Sequence, residues 1–137
     1  TRIPAQAVPT SVAQGPDGAL YVGQLTGFPF PVGGASVWRV PASGGSPEIV
    51  ETGFTNIIDI AFGPDGSLYV LEFAQDGILA GPPAGALTRI APDGTRAVVA
   101  SDGLFAPGGV AIARNGRIFV TNFSISAGGG EVVELRP

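Results

Sequence analysis

An all-β fold, three blades of a β-propeller, is predicted for this chain by a repeat, a turn chemistry and a count. The phrase Gly15–Val22 (GPDGALYV) returns 48 residues later as Gly63–Val70 (GPDGSLYV), and in worn form 50 residues further on as Ala113–Val120 (ARNGRIFV). A period of about 40–50 residues, with a tight turn and short strands in each unit, marks the blades of a propeller. In the first two copies Pro presets φ for the turn, Asp tolerates the next position and Gly takes a positive φ; Asn-Gly does the same in the third. A turn of this kind running into Leu-Tyr-Val is a hairpin signal. Propellers usually have about four to eight blades, so three do not close a ring.

Each unit divides into four short strands, A to D. The first reads Ser11–Gln14, Leu20–Leu25, Val37–Val40 and Glu48–Glu51. The second reads Asp59–Phe62, Leu68–Phe73, Leu87–Ile90 and Arg96–Ala100. The third reads Gly109–Ala113, Ile118–Phe123 and Val132–Leu135, with no fourth strand before Pro137. No long apolar helical periodicity occurs, so almost no helix is expected.

The missing strand has a candidate at the other end. Thr95–Val99 leads to Ala106–Val110 much as Thr1–Ile3 leads to Val8–Val12, so the N-terminus reads as a strand D followed by the usual entry to strand A. Pro4 is compatible with an edge strand. A single open half-ring keeps its two ends apart, whereas a two-fold homodimer brings them together, and two-fold dimers are the commonest oligomers. The expectation is a six-bladed ring with N-terminal strand exchange. Blade one spans about 9–53 and blade two about 54–104; blade three spans about 105–137 plus residues 1–8 of the partner chain. The faces left open in one chain are expected to carry Val12, Tyr21 and Val37 at one end and Val110, Ile118 and Val132 at the other.

Composition restricts the chemistry. The 137 residues include 22 Gly and 13 Pro, yet 45% are hydrophobic and only 13% charged, which favours a turn-rich collapsed fold over a solvated chain. Net charge is −4 and no basic run exists, so the footprint of a nucleic-acid binder is missing. No stretch approaches the length of a membrane-spanning helix. The chain begins without Met and carries no signal-peptide pattern, which reads as a mature form or a cut piece of something longer. With no His, Cys or Lys, the Ser-His-Asp, Cys-His and Schiff-base schemes are ruled out, as are zinc sites on imidazole or thiolate. Any metal would be a hard one on oxygen ligands, such as calcium or magnesium.

Two places could bind something. The loops joining strands B to C and D to A share one face of the disc, and loops on a rigid scaffold commonly carry function. They bear Phe28, Phe30, Val32, Ile78, Leu79, Phe54 and Phe105, which read either as an apolar rim for a small apolar molecule or a protein, or as caps packed on the blade cores. The second place is the axis. Gln24, Glu72 and Asn122 hold the same position at the end of strand B, and Asp59 lies on the innermost strand beside the positions of Ser11 and Gly109. Glu72, Asn122 and Asp59 read either as axial ligands for calcium or as the polar ends of a hydrated channel. Trp38 reads as blade core.

The run Ser11–Gly23, the loop Leu25–Pro31 and the run Gly53–Phe62 resemble the ScyD/ScyE-type family, named after scytonemin biosynthesis proteins and related to NHL-repeat propellers. The closing Gly130–Leu135 is similar to that family's C-terminal end. The resemblance implies a six-bladed propeller of roughly twice this length, of which this chain matches the C-terminal half. It also implies secretion in many members and no settled activity. Related gluconolactonase-type propellers hold a divalent metal on the axis through Glu, Asn and Asp. Glu72 and Asn122 fall on comparable strand ends, which makes a metal-dependent hydrolase the alternative to a non-enzymatic, self-assembling scaffold.

Overall fold

The computed structural model describes residues 5–137. Three antiparallel sheets follow one another along the chain, each a meander of neighbours in sequence. The first holds β1 (Pro9–Gln14), β2 (Leu20–Gln24), β3 (Ala35–Val40) and β4 (Glu48–Phe54). The second holds β5 (Ile57–Phe62), β6 (Leu68–Glu72), β7 (Ala86–Ile90) and β8 (Arg96–Ala100). The third holds β9 (Gly109–Ile112), β10 (Ile118–Asn122) and β11 (Glu131–Leu135). A single 3-10 turn, Ile78–Ala80, interrupts the strands among the described residues. The expected strand pattern is thus found in all three units, with β4 running on to Phe54.

The A–B turns form for the reasons their residues suggest. Gly18, Gly66 and Gly116 take φ of 80°, 84° and 85°, where a side chain would be strained. Asp17, Asp65 and Asn115 each accept, through Oδ1, the backbone N–H two residues on. Arg39 and Arg89, on the third strand of their blades, then clasp Asp17 at 3.0 Å and Asp65 at 2.7 Å. Blade three reverses the charges: Glu134 stands opposite Phe119 as Arg39 stands opposite Tyr21, and it is reached at 2.7 Å by Arg117 from the turn.

Sheets pack face to face around one row of residues per joint. At the first joint Ile60, Leu68, Val70 and Ile90 of blade two are buried against Ala35 and Val37 of blade one. Gly23 permits the approach, because a Cβ there would stand 2.7 Å from Ile57 Cγ2. At the second joint Val110, Ile118 and Val120 of blade three are buried against Tyr69, Leu71 and Leu87 of blade two. The strand-to-strand register makes these rows equivalent. Val12–Val22 of blade one, Ile60–Val70 of blade two and Val110–Val120 of blade three are the same cross-strand pair.

That equivalence corrects the expected open faces. Tyr21 and Val37 face blade two, and Val110 and Ile118 also face blade two, so none of the four lies on a free flank. Side chains alternate between faces along a strand, and Val12 shares its face with its partner Val22, not with Tyr21. The open flank of blade one is the row Val12, Val22, Trp38 and Ile49 with Leu20 and Val40 beside it. Trp38 therefore sits on that flank, half-buried, rather than in the core. The open flank of blade three carries Ala111, Phe119, Thr121 and Val132.

Residues 1–4 of the proposed exchanged strand lie outside the described residues. Gln6, Ala7 and Val8 accept backbone hydrogen bonds from Gly27, Thr26 and Leu25 of their own chain. They occupy the D–A corner of blade one and are taken up within their own chain.

Candidate functional site

Gln24, Glu72 and Asn122 are all buried at the end of their strands, and each fastens the D–A corner of its own blade. Gln24 Nε2 donates to Ala7 O, while its Oε1 accepts from Trp38 Nε1 at 2.6 Å and from Ser36 N. Glu72 Oε2 accepts from Thr55 N at 2.6 Å. Asn122 Oδ1 accepts from Phe105 N at 2.8 Å, and its Nδ2 donates to Gly103 O. The next residue at each corner, Val8, Asn56 and Ala106, takes a positive φ of 46°, 47° and 45°. A costly backbone angle repeated in every blade, twice on residues that disfavour it, is a feature of the architecture. The three side chains are corner latches.

Burial of the Glu72 carboxylate raises its pKa to about 6; the Thr55 N–H opposes that shift and the nearby Asp76 charge adds to it. The corner it holds is a hub. Thr55 Oγ1 accepts from Gly33 N in the blade-one B–C loop, and Asn56 Oδ1 accepts from Ile78 N in the blade-two B–C loop. Asn56 Nδ2 donates to Leu25 O.

Asp59 does something different from the latches. Ser11 Oγ donates to its Oδ1, and Val110 N donates to its Oδ2 at 2.8 Å. Ser11 Oγ in turn accepts from Ile60 N at 3.2 Å. One carboxylate thereby ties the innermost strands β1, β5 and β9 together. Among the described residues no group of three or more acidic side chains is placed to hold a metal ion.

The loop face divides the other candidates. Phe28, Val32 and Leu79 are exposed on the adjacent B–C loops of blades one and two. Phe28 stands edge-on to Phe30, with centroids 6.3 Å apart, and Val32 lies beside Gly77 of the next loop. Ile78 is half-buried and tied to Asn56. Phe105 stacks on Phe123 at 5.7 Å in blade three, and Ile125 of the third B–C loop is exposed. Phe54 does not belong to this face. It ends β4, is buried in the core and is covered by the Arg96 guanidinium at 4.7 Å.

The flanks also carry unfilled apolar surface, and of the six residues that sequence reasoning placed on them only Val12 and Val132 lie there. On blade one, Ala7, Pro9, Val22, Gln24, Trp38 and Val40 line an apolar hollow of about 220 Å³. Strand parity counted out from the Gly-Pro-Asp-Gly turn was the signal that would have found Trp38.

No family model matches the chain, and no curated protein matches it. Solved structures do. A chain from a crystal structure of a nidogen/laminin complex aligns over 93% of this chain and 44% of its own length, with TM-score 0.69 and 17% identity. A structure named as a candidate gluconolactonase aligns over 90% of this chain and 48% of its own, with TM-score 0.61 and 20% identity. This chain has a propeller-type fold. It spans less than half the length of either of those chains.

Proposed function

We propose that this chain is a non-enzymatic scaffold unit: a half-propeller that completes a six-bladed ring with a second copy and presents the B–C and D–A loops as a binding face. The observation that carries this reading is burial at equivalent positions. Ile60 is 3% exposed because blade one covers it, whereas its counterpart Val12 is 64% exposed. Val132 of blade three is 69% exposed, whereas its counterpart Leu87 is fully buried. The surface each end lacks is the kind of surface the other end offers. Two half-rings related by a two-fold axis satisfy both ends, with residues ahead of Gln6 of one copy adding a strand to the outer edge of β11 of the other. Open β-edges and contiguous apolar faces favour such pairing.

The hydrolase alternative gains little from these residues, since Oε2 of Glu72 and Oδ1 of Asn122 are engaged in holding the corners. Static light scattering at micromolar concentration should give about twice the 13.7 kDa chain mass. A Phe28→Ser, Phe30→Ser double variant should keep that doubled mass, because the loop face lies off the flanks. A compact monomer at every concentration reached would remove the reading.

A further inference from the structure

We infer that the ring, on the reading that a second copy closes it, is built to open at its two closing seams, because those seams lack the polar clasp of the internal joints. The clasp follows a rule along the innermost strands. The side chain at one position accepts the N–H of the following position in the next blade. Ser11 Oγ accepts from Ile60 N across the first joint, sharing that N–H with Asp59 Oδ1, and Asp59 Oδ2 accepts from Val110 N across the second. The third member of this series is Gly109, as the pairings Ser11–Gly23, Asp59–Leu71 and Gly109–Thr121 show. Glycine has no side-chain acceptor, so the partner's Val12 N–H, next in the series, meets no counterpart of Ser11 or Asp59; the hydroxyl nearest that place is Thr121 Oγ1.

Apart from the strand added to β11 and the Thr121 hydroxyl, the seam is largely apolar. Val132 and Phe119 of one copy meet the hollow formed by Val22, Trp38 and Val40 of the other. Burial of that surface favours association without direction, while the clasp at an internal joint adds register and resistance to opening. Each half carries its own two clasped joints and its own cores, so separation at the seams leaves both halves folded. The assembly is therefore an exchanging dimer of stable half-rings.

Two measurements test this. In the wild-type dimer, amide exchange followed by NMR should show Val110 protected and Val12 fast; equal protection of the two overturns the inference. Gly109 admits a small side chain if the Thr121 hydroxyl yields slightly, since a Cβ there meets Thr121 Oγ1 at 3.3 Å and Asp59 Oδ2 at 3.6 Å and its φ lies outside the left-handed region. Gly109→Ser should lower the dimer dissociation constant at least tenfold relative to Gly109→Ala and slow subunit exchange between labelled and unlabelled protein. Equal constants for the two variants, in a protein that does dimerise, overturn the missing clasp and leave the ring standing. A wild-type chain that never dimerises overturns the ring itself.

Discussion

At the scale of single residues, Glu72 is a charged solution to a problem that blades one and three solve with amides. Gln24, Glu72 and Asn122 all latch a corner, but only Glu72 must strip water from a carboxylate to do so, and its pKa rises to about 6. A carboxyl whose native pKa lies above its ordinary 4.5 binds its proton more tightly folded than unfolded. Its contribution to stability is full below about pH 4.5 and is lost as pH rises through 6. Glu72→Gln keeps an acceptor for Thr55 N and removes that loss. The variant should melt roughly 3–6 °C higher than wild type at pH 8 and within about a degree of it at pH 4, by calorimetry. The shared place of the three residues was legible in the sequence from the turn alignment. Their direction was not, because the last side chain of a strand turns toward whichever loop offers unpaired backbone groups, and the D–A corners offered them.

At the scale of elements, the strands were legible because each blade opens on a hairpin with its own turn chemistry, and every strand pairs with its neighbours in sequence within one of three sheets. Which face of a strand met which neighbour was harder. Tyr21 and Val12 look alike as apolar strand residues, and only the pairing of Val12 with Val22 separates their fates. Phe54 went astray for a related reason. The Gly53 bend at φ 84° lets β4 continue past its expected end and folds the ring into the core. Parity also ranks substitutions within one blade. Leu71, fully buried between blades two and three, should lose about 2–5 kcal/mol on change to Ala. Val98, exposed on the outermost strand of the same blade, should lose less than about 0.5 kcal/mol. Urea unfolding midpoints of the two variants, measured side by side, check the contrast.

At the scale of the whole molecule, the proposed closure by a second copy would couple folding to association. Anything that binds the folded state alone raises its apparent stability by mass action, and a second copy would be such a ligand. The melting temperature should therefore climb by a few degrees for each tenfold rise in protein concentration. A constant melting temperature between about 1 and 300 μM would mean that the flanks stay uncovered in solution. The loop face, by contrast, was legible only as a set of exposed apolar residues: Phe28, Val32 and Leu79 lie together, but their chemistry selects no single ligand.

The bare backbone at Gly23 has a consequence for curvature. How deeply one sheet nests into the next sets the angle between them, and that angle decides how many sheets complete a circle. Blade one admits Ile57 into the space that Gly23 leaves, whereas blade two fills the same place with Leu71. The wedge between successive sheets is thus tuned joint by joint through paired side-chain volumes. A single methyl at position 23 would be felt as a change in the arc of the entire disc.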